Sequence, residues 1–294
     1  MPTTDTEPDR HVPVGAESFR SSVETHTNAG DERQHMPTAH NGSVAIEYAV
    51  HGNGPTVVCC GSAGLGAWQW SYLVTPLARE YEVVVFDYRG TGESDAPDGP
   101  YTVADLTADL DAVLSEHGAR SVHLLGAGLG GVVAVEYARR AGRVESIGLV
   151  GTPTSPSDVD FDALDRLRAP RDDPDALERS LSVAFAPGTV ESHPDEISRI
   201  VEWRGADDAG PAGWDGQLAA MREADLTDLY EVTTPALVFH GVEDAIVDPE
   251  AGRQLAEQLP RGEHRAVESG HLVHVEQPQV VADELLAWLD EQRA

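Results

Sequence analysis

A buried strand that runs into a glycine turn and then a helix restricts the fold of this 294-residue chain more than any other feature. The segment Ser121–Ala134 reads as a buried strand, a tight turn with glycines at 128, 130 and 131, and the start of a helix that continues to about Ala141. Other apolar strands alternate with helical segments along the chain: Pro55–Cys60, Tyr81–Phe86, Val144–Val150, Pro235–His240 and Glu263–Val267. The helical segments between them include Trp68–Glu80 and Val103–His117. This alternation predicts an α/β fold with a mostly parallel sheet covered by helices on both faces.

The alternation is interrupted once, after Gly151. Residues 152–232 carry helical patches but no convincing strand. We therefore predict a core formed by residues 37–151 and 233–294, with residues 152–232 as a helical cap over the carboxyl ends of the strands. Ligands of open α/β sheets bind at that edge. Residues 1–36 are polar and aperiodic, which predicts a disordered acidic extension, and Met36 is an alternative translation start.

The charge of the chain is strongly negative. Asp and Glu total 51 against 20 basic residues, all of them Arg, for a net charge of −31. Self-repulsion of this size disfavours the compact state in dilute buffer and is screened by concentrated salt. Abundant acid without Lys resembles the proteins of salt-in halophiles. The same charge argues against nucleic acid as a partner, because phosphate binding needs clustered basic residues.

Several classes of protein are disfavoured by the remaining composition. The only two cysteines, Cys59 and Cys60, are adjacent and would point to opposite faces of a strand, so no disulfide is expected between them. Neither a membrane span nor a secretory signal pattern is evident, and we expect a cytoplasmic protein. No metal-ligand spacing or phosphate-binding P-loop is evident, so no metal or cofactor is expected. The oligomeric state is left open.

Five segments, in this order and spacing, resemble the α/β-hydrolase family, capped type, over about residues 37–292. Two segments of the predicted cap, residues 213–220 and 224–229, resemble enol-lactonases and C–C hydrolases. The resemblance implies a sheet of the eight-stranded type. The five segments are Cys60-Gly61-Ser62-Ala63-Gly64, residues 87–94, the glycine turn, Gly241-Val242-Glu243-Asp244, and Gly270-His271 with Glu276-Gln277-Pro278.

The resemblance assigns a role to each position of a catalytic site. Gly128 occupies the nucleophile position of the elbow, which is vacant because Val122–Ala134 contains no Ser, Thr, Cys, Asp or Glu. His271 matches the general base and Asp244 the acid that orients it. The backbone N–H groups of Ser62 and Leu129 match the donors of the oxyanion hole. Removing a nucleophile costs about 10⁶ in rate, so covalent acyl-enzyme catalysis is excluded as the main mechanism.

Other interpretations of these residues stay open. Glu243 and Asp248 are alternative acids, and the side chains of Ser62 or Cys60 are alternative nucleophiles. His274 reads as a helix-start or surface residue, and Asp87 and Arg89 as residues that order loops. Gly126, Gly128 and Gly131 also match a dinucleotide-binding pattern, for which the position at the fifth strand is unusual. Several tryptophans are candidates to line a pocket between core and cap: Trp68, Trp70, Trp203 and Trp214.

Three functions are compatible with a site of this kind. The first is non-covalent chemistry on a small ester, lactone or carbonyl compound, in which His271 and Asp244 act as a general base on water or on an acidic substrate proton. The second is a protein that binds a small molecule without turning it over. The third is a pseudoenzyme that regulates a protein partner.

Overall fold

An eight-stranded sheet forms the centre of the protein in the computed structural model, which describes residues 36–293. The strand order is β1-β2-β4-β3-β5-β6-β7-β8, with β1 and β2 antiparallel to their neighbours and all other pairs parallel. The prediction of a mostly parallel sheet is confirmed. The predicted disordered extension lies almost wholly outside the described residues. The strands are β1 Thr38–Asn41, β2 Val44–Gly52, β3 Thr56–Cys60, β4 Glu82–Phe86, β5 Val122–Ala127, β6 Val144–Val150, β7 Ala236–Gly241 and β8 Gly262–Val267.

Helices cover both faces of the sheet because each buried strand sends alternate side chains to opposite sides. Val58 and Cys60 of β3 belong to the apolar cluster under α2, α3 and α9, whereas Val57 and Cys59 belong to the cluster under α1 and α11. The two cysteines are free and buried. The helices outside the β6–β7 connection are α1 Ser71–Leu77, α2 Val103–His117, α3 Leu129–Arg140, α9 Pro249–Gln258, α10 Val273–Glu276 and α11 Pro278–Gln292.

The connection between β6 and β7 is helical, and we call residues 152–232 the helical insertion. It contains α4 Phe161–Leu167, α5 Pro174–Leu181, α6 Thr189–Ser192, α7 Pro194–Asp207 and α8 Pro211–Arg222, together with short 3-10 turns. No helix within residues 36–293 combines the length and the apolar composition that a membrane span requires.

Two regions differ from the sequence-based prediction. The expected helix from Trp68 to Glu80 is divided into a 3-10 turn, Ala67–Trp70, and the short α1. The sequence predicted residues 213–220 as a segment that resembles the cap of related hydrolases, but it did not predict helix α8, because Gly213 and Gly216 weaken the helical pattern. Both glycines serve close packing: a Cβ on Gly213 would lie 2.2 Å from the Gly90 carbonyl oxygen, and one on Gly216 would lie 2.6 Å from the Tyr101 ring.

Buried polar side chains join the helical insertion to the loops of the core. The Gln217 amide, which is fully buried, accepts a hydrogen bond from the Gly64 N–H at 2.8 Å and donates one to the Arg89 carbonyl at 2.9 Å. Within the insertion, Arg204 is 1% exposed and pairs with Asp208 at 2.7 Å. Because buried polar groups must be paired, the Gln217 hydrogen bonds fix α8 against the loops that follow β3 and β4.

Salt is expected to stabilise this protein. Between 0.1 M and 3 M KCl we expect the melting temperature to rise by about 10 °C, since concentrated salt screens the repulsion among the acidic side chains. A variant that neutralises three exposed acids, Glu116→Gln, Asp172→Asn and Glu178→Gln, is the matched control and should show a smaller rise. Calorimetry across the salt range measures both, and a melting temperature independent of KCl would contradict the prediction.

Candidate active site

The candidate site residues lie in loops at the carboxyl edge of neighbouring parallel strands. Ser62 follows β3, Gly128 follows β5, Asp244 follows β7 and His271 follows β8. Parallel strands end at the same edge of a sheet, so residues far apart in sequence meet there.

The turn between β5 and α3 has a sharp, elbow-like geometry. Gly128 has φ +51° and ψ −116°, a backbone conformation that favours glycine. The helix packs closely on its strand, because a Cβ on Gly126 would lie 2.5 Å from the Gly130 carbonyl oxygen. Helix α3 begins at Leu129, so the Leu129 N–H belongs to the first turn, whose amide groups have no acceptor within the helix. The turn thus brings Gly128, the predicted nucleophile position, to the sheet edge together with the Leu129 N–H, which has no acceptor within the helix.

His271 and Asp244 form a buried pair. The His271 Nδ1 lies 2.9 Å from Asp244 Oδ2, and the two residues are 4% and 8% exposed. Asp244 Oδ1 accepts the N–H groups of Ile246 at 2.8 Å and Val247 at 2.9 Å, which fixes the carboxylate. Burial by itself would raise the pKa of Asp244, but the neighbouring histidines and their hydrogen bonds outweigh it and lower that pKa below its usual value. An ionised Asp244 holds the proton of His271 on Nδ1, which leaves Nε2 free to act as a base.

A second histidine contacts the same carboxylate. His240 Nε2 lies 3.2 Å from Asp244 Oδ2 and 3.3 Å from the Val247 carbonyl oxygen. Both neighbours are acceptors, so His240 carries a proton on Nε2. This residue was not among the predicted site residues. Its position four residues before Asp244, at the end of β7, was the available signal.

His271, the predicted base, faces the glycine of the elbow. A Cβ built on Gly128 would lie 3.6 Å from His271 Nε2 and 3.3 Å from Ser62 Oγ. Glycine therefore leaves a small space between the imidazole and the Ser62 hydroxyl, where a serine side chain would otherwise point. The elbow, the base and the acid that the sequence predicted separately are brought together around this space.

One of the two predicted oxyanion donors is already engaged. The Ser62 N–H donates to Gln69 Oε1 at 3.0 Å. The Gln69 amide in turn donates to the carbonyl oxygens of Gly66 at 3.0 Å and Leu65 at 3.4 Å. The Ser62 N–H was predicted to be available to a ligand, but in the structure it is bonded to Gln69. Leu129, the other predicted donor, lies directly after Gly128 at the start of α3, as predicted. Gln69 was not a predicted site residue, because its role depends on the fold of the loop after β3.

Comparison with known proteins identifies the family of this chain. The model of the alpha/beta hydrolase family matches residues 49–284. The chain belongs to the α/β-hydrolase family. It is 33% identical over 221 residues to a pimeloyl-[acyl-carrier protein] methyl ester esterase of Chromobacterium violaceum, covering 71% of this chain and 84% of that protein. It is 24% identical over 246 residues to 3-oxoadipate enol-lactonase 2 of Acinetobacter baylyi, covering 80% of this chain and 90% of that protein.

A solved α/β-hydrolase structure supports the same assignment. The enol-lactonase from Burkholderia xenovorans LB400 superposes with a TM-score of 0.77 at 25% sequence identity, covering 86% of this chain and all of that chain. The expected enol-lactonase-like relatives are thereby confirmed.

The loop that carries His271 is joined to the helical insertion by Glu276. Its carboxylate accepts the Gly270 N–H at 2.7 Å and the Ala186 N–H at 3.1 Å, and it also accepts the Thr189 hydroxyl. Because Gly270 directly precedes His271, the Glu276 carboxylate fixes both the His271 loop and the helical insertion. Glu276 belonged to the segment that suggested the family, but its anchoring role was not predicted.

The alternative nucleophiles fit the structure poorly. Cys60 is fully buried, and burial raises the pKa of its thiol to about 12, so the reactive thiolate is absent near neutral pH. Ser62 Oγ makes no hydrogen bond to His271 or to any other residue within the described range. A serine acting as nucleophile requires such a contact with its base.

His274 lies in α10, as a helix-start residue would, but it is not on the surface. It is fully buried and its ring lies against Trp70, with centroids 4.5 Å apart. Burial, with a smaller effect of His271, lowers the pKa of His274 to about 3. The histidine is therefore neutral at physiological pH.

Asp87 and Arg89 occupy buried positions in loop contacts. Arg89 pairs with Asp109 through two hydrogen bonds, at 2.7 and 2.6 Å. Asp87 accepts the Ala67 N–H at 2.9 Å. Burial and the nearby charge of Asp207 raise the pKa of Asp87 to about 7. These contacts agree with a role in ordering the loops beside the site.

Three of the candidate tryptophans fill the contact between the helical insertion and the core. The Trp68 Nε1 donates to Asp208 at 2.7 Å, and its ring stacks on Trp203 with centroids 6.5 Å apart. The Trp214 ring covers Gly64, where a Cβ would lie 1.8 Å from it. All three rings are buried by protein, and contact with a ligand stays a prediction for each.

The acidic alternatives to Asp244 point to solvent. Glu243 and Asp248 are exposed, and Asp248 caps α9 by accepting the Glu250 N–H at 3.0 Å. Within residues 36–293 no group of three or more His, Cys, Asp or Glu side chains is arranged to hold a metal ion.

Proposed function

We propose that this protein acts on a small ester, lactone or carbonyl compound by general-base catalysis at His271, without a covalent intermediate. One observation carries the proposal. The His271–Asp244 pair is intact at 2.9 Å while its free nitrogen, Nε2, faces a glycine at the nucleophile position. The base thus faces a space, where water or an acidic group of the substrate would meet it.

Hydrolysis at this site needs no covalent bond between the protein and the substrate. His271 Nε2 removes a proton from a water molecule as the water oxygen bonds to the carbonyl carbon. The carbonyl oxygen takes the electron pair of its double bond and is stabilised by the Leu129 N–H. When the oxyanion collapses, the bond to the leaving oxygen breaks, and the proton held on Nε2 passes to that oxygen. Asp244 stabilises the imidazolium in between.

The substrate class comes from the relatives. The curated proteins similar to this chain include a methyl ester esterase and an enol-lactonase, both of which act on carbonyl carbons bound to oxygen. A nearly closed site, in which Ser62 and His271 are each 4% exposed, favours a small substrate.

His271→Ala is expected to lower the turnover of short esters or lactones at least about 10³-fold, because the proton acceptor is removed. The measurement is hydrolysis of a panel of p-nitrophenyl esters and small lactones by the wild type and the variant. The control is His40→Ala, which changes an exposed histidine on β1. Equal turnover in wild type and His271→Ala would refute the base mechanism.

A ligand-binding protein without turnover is the second candidate. The observation in its favour is the Gln69 hydrogen bond to the Ser62 N–H, which occupies a donor that acyl transfer uses in this family. In that case a lactone would raise the melting temperature of the wild type while no product forms.

A further inference from the structure

The Ser62 hydroxyl is a buried polar group without a partner. Ser62 is 4% exposed, and its Oγ makes no hydrogen bond to any atom of residues 36–293. Buried hydroxyls in native proteins are almost always paired, and an exception calls for an explanation, such as a role in binding or catalysis.

This hydroxyl faces the same point as the base. A Cβ on Gly128 would lie 3.3 Å from Ser62 Oγ, 3.5 Å from Ser62 Cβ and 3.6 Å from His271 Nε2. An oxygen atom of a ligand near that point is within reach of both side chains. The Leu129 N–H follows Gly128 directly, at the N-terminus of α3, a helix of 12 residues. Helix N-termini favour negative charge, so this end of α3 suits an oxygen that becomes negative.

The backbone N–H of Ser62 is held away from this role. Gln69 Oε1 accepts it at 3.0 Å, and the Gln69 amide nitrogen donates to the Gly66 carbonyl at 3.0 Å. Gln69 is fully buried, so both ends of its amide are fixed. A ligand oxygen that took the Ser62 N–H would leave the Gln69 oxygen unpaired inside the protein, which is unfavourable.

We propose that the Ser62 hydroxyl replaces the Ser62 N–H as the second donor to the oxygen that becomes negative, with the Leu129 N–H as the first. The proposal rests on the proposed function for the identity of the reaction. Ser62 acts here only as a hydrogen-bond donor: its proton stays on Oγ, and no bond forms between Oγ and the substrate. The residue is catalytic in the sense that it touches the reacting atoms.

The kinetic test compares Ser62→Ala with Ser71→Ala. Ser71 is a matched control, because its hydroxyl is also buried and unpaired but belongs to α1. Ser62→Ala should lower kcat about ten- to a hundredfold with little change in KM, since a hydrogen bond to a charged oxygen is lost. Ser71→Ala should leave both constants unchanged. Equal kcat in Ser62→Ala and wild type would overturn the proposal.

A second variant distinguishes the two possible donors of residue 62. Gln69→Ala frees the backbone N–H, so it should partly restore the activity of Ser62→Ala in the double variant. If the N–H were the working donor already, Ser62→Ala would have no effect and Gln69→Ala would not rescue anything.

A binding measurement separates this proposal from the proposed function. Butyrate is the probe, because its carboxylate presents a negative oxygen without needing turnover. In calorimetric titrations Ser62→Ala should raise the Kd for butyrate about tenfold or more, and Ser71→Ala should not change it. If the wild type turned over no substrate but kept this dependence on Ser62, the proposed function would fail, whereas the role of the Ser62 hydroxyl as a donor to a negative oxygen at this site would stand. Absence of saturable butyrate binding to the wild type, or an unchanged Kd in Ser62→Ala, would overturn it.

Discussion

Gly128→Ser is expected to convert this protein into an esterase that works through an acyl-enzyme. Hydrolysis of p-nitrophenyl butyrate should rise on the order of 10²- to 10³-fold over the wild type, because a hydroxyl now stands between the oxyanion donors and His271. Pre-steady-state kinetics should show a burst of p-nitrophenol, and mass spectrometry should detect the butyryl group on residue 128.

The elbow has room for this change. The nearest atoms to a Cβ on Gly128 are 3.3 to 3.6 Å away, so a small side chain fits with slight adjustment of Ser62. The backbone at φ +51° is strained for any residue with a Cβ, at a cost of about 1–3 kcal/mol. A full recovery of about 10⁶ is not expected, since the new Cβ would lie 3.3 Å from Ser62 Oγ and would shift that hydroxyl from its place as an oxyanion donor, and one such donor is worth about 10²- to 10³-fold.

The matched control for this prediction is Gly128→Ala. Alanine introduces the same Cβ and the same backbone strain without the hydroxyl, so its activity should stay at or below that of the wild type. Equal gains in the two variants would show that the hydroxyl is not the cause. No gain in a folded Gly128→Ser would mean that base and elbow are not aligned for attack.

Asp244→Asn is expected to lower catalysis about 10⁴-fold, in the wild type or in the Gly128→Ser background. The asparagine oxygen can still accept the two backbone N–H groups at 2.8 and 2.9 Å, so the loop keeps its shape. Its NH₂ group then faces His271 Nδ1 and His240 Nε2, and two donors cannot share a hydrogen bond. His271 must then carry its proton on Nε2, so this nitrogen can no longer accept a proton as a base.

Two nearby acids provide controls for Asp244→Asn. Glu243→Gln removes the same charge one residue away at an exposed position, and Asp248→Asn keeps a capping side chain at the start of α9. Both should retain activity within about twofold. Ester hydrolysis measured across the pH range reports the loss, and a variant Asp244→Asn with wild-type kcat/KM would contradict the assigned acid.

The parallel strands of the sheet could be predicted because each of them carries its own local signal. Strand β6 has the predicted bounds, and so does helix α2, which begins at a Thr102–Asp105 capping box and ends at Gly118. Short apolar runs in an alternating α/β pattern leave few arrangements. Helix α8 was harder, because Gly213 and Gly216 lower its helical propensity and are explained only by the Gly90 and Tyr101 groups packed against them.

Some features of the candidate site could likewise be predicted from the sequence, and others could not. By itself the sequence determined that position 128 is a glycine. Through the resemblance to a family it also predicted that this is a vacant nucleophile position and that His271 and Asp244 are the base and the acid. Each of these follows from an identity at one position in a recognisable local pattern.

Only the tertiary structure decided which polar groups face that glycine. Ser62 presents its hydroxyl rather than its N–H because Gln69 folds back onto the loop after β3, and His240 reaches the Asp244 carboxylate from the end of β7. Such contacts depend on side-chain directions and on distances between loops of different strands. No periodicity or motif in the sequence encodes them, because a hydrogen bond forms only once the fold has brought donor and acceptor within about 3 Å.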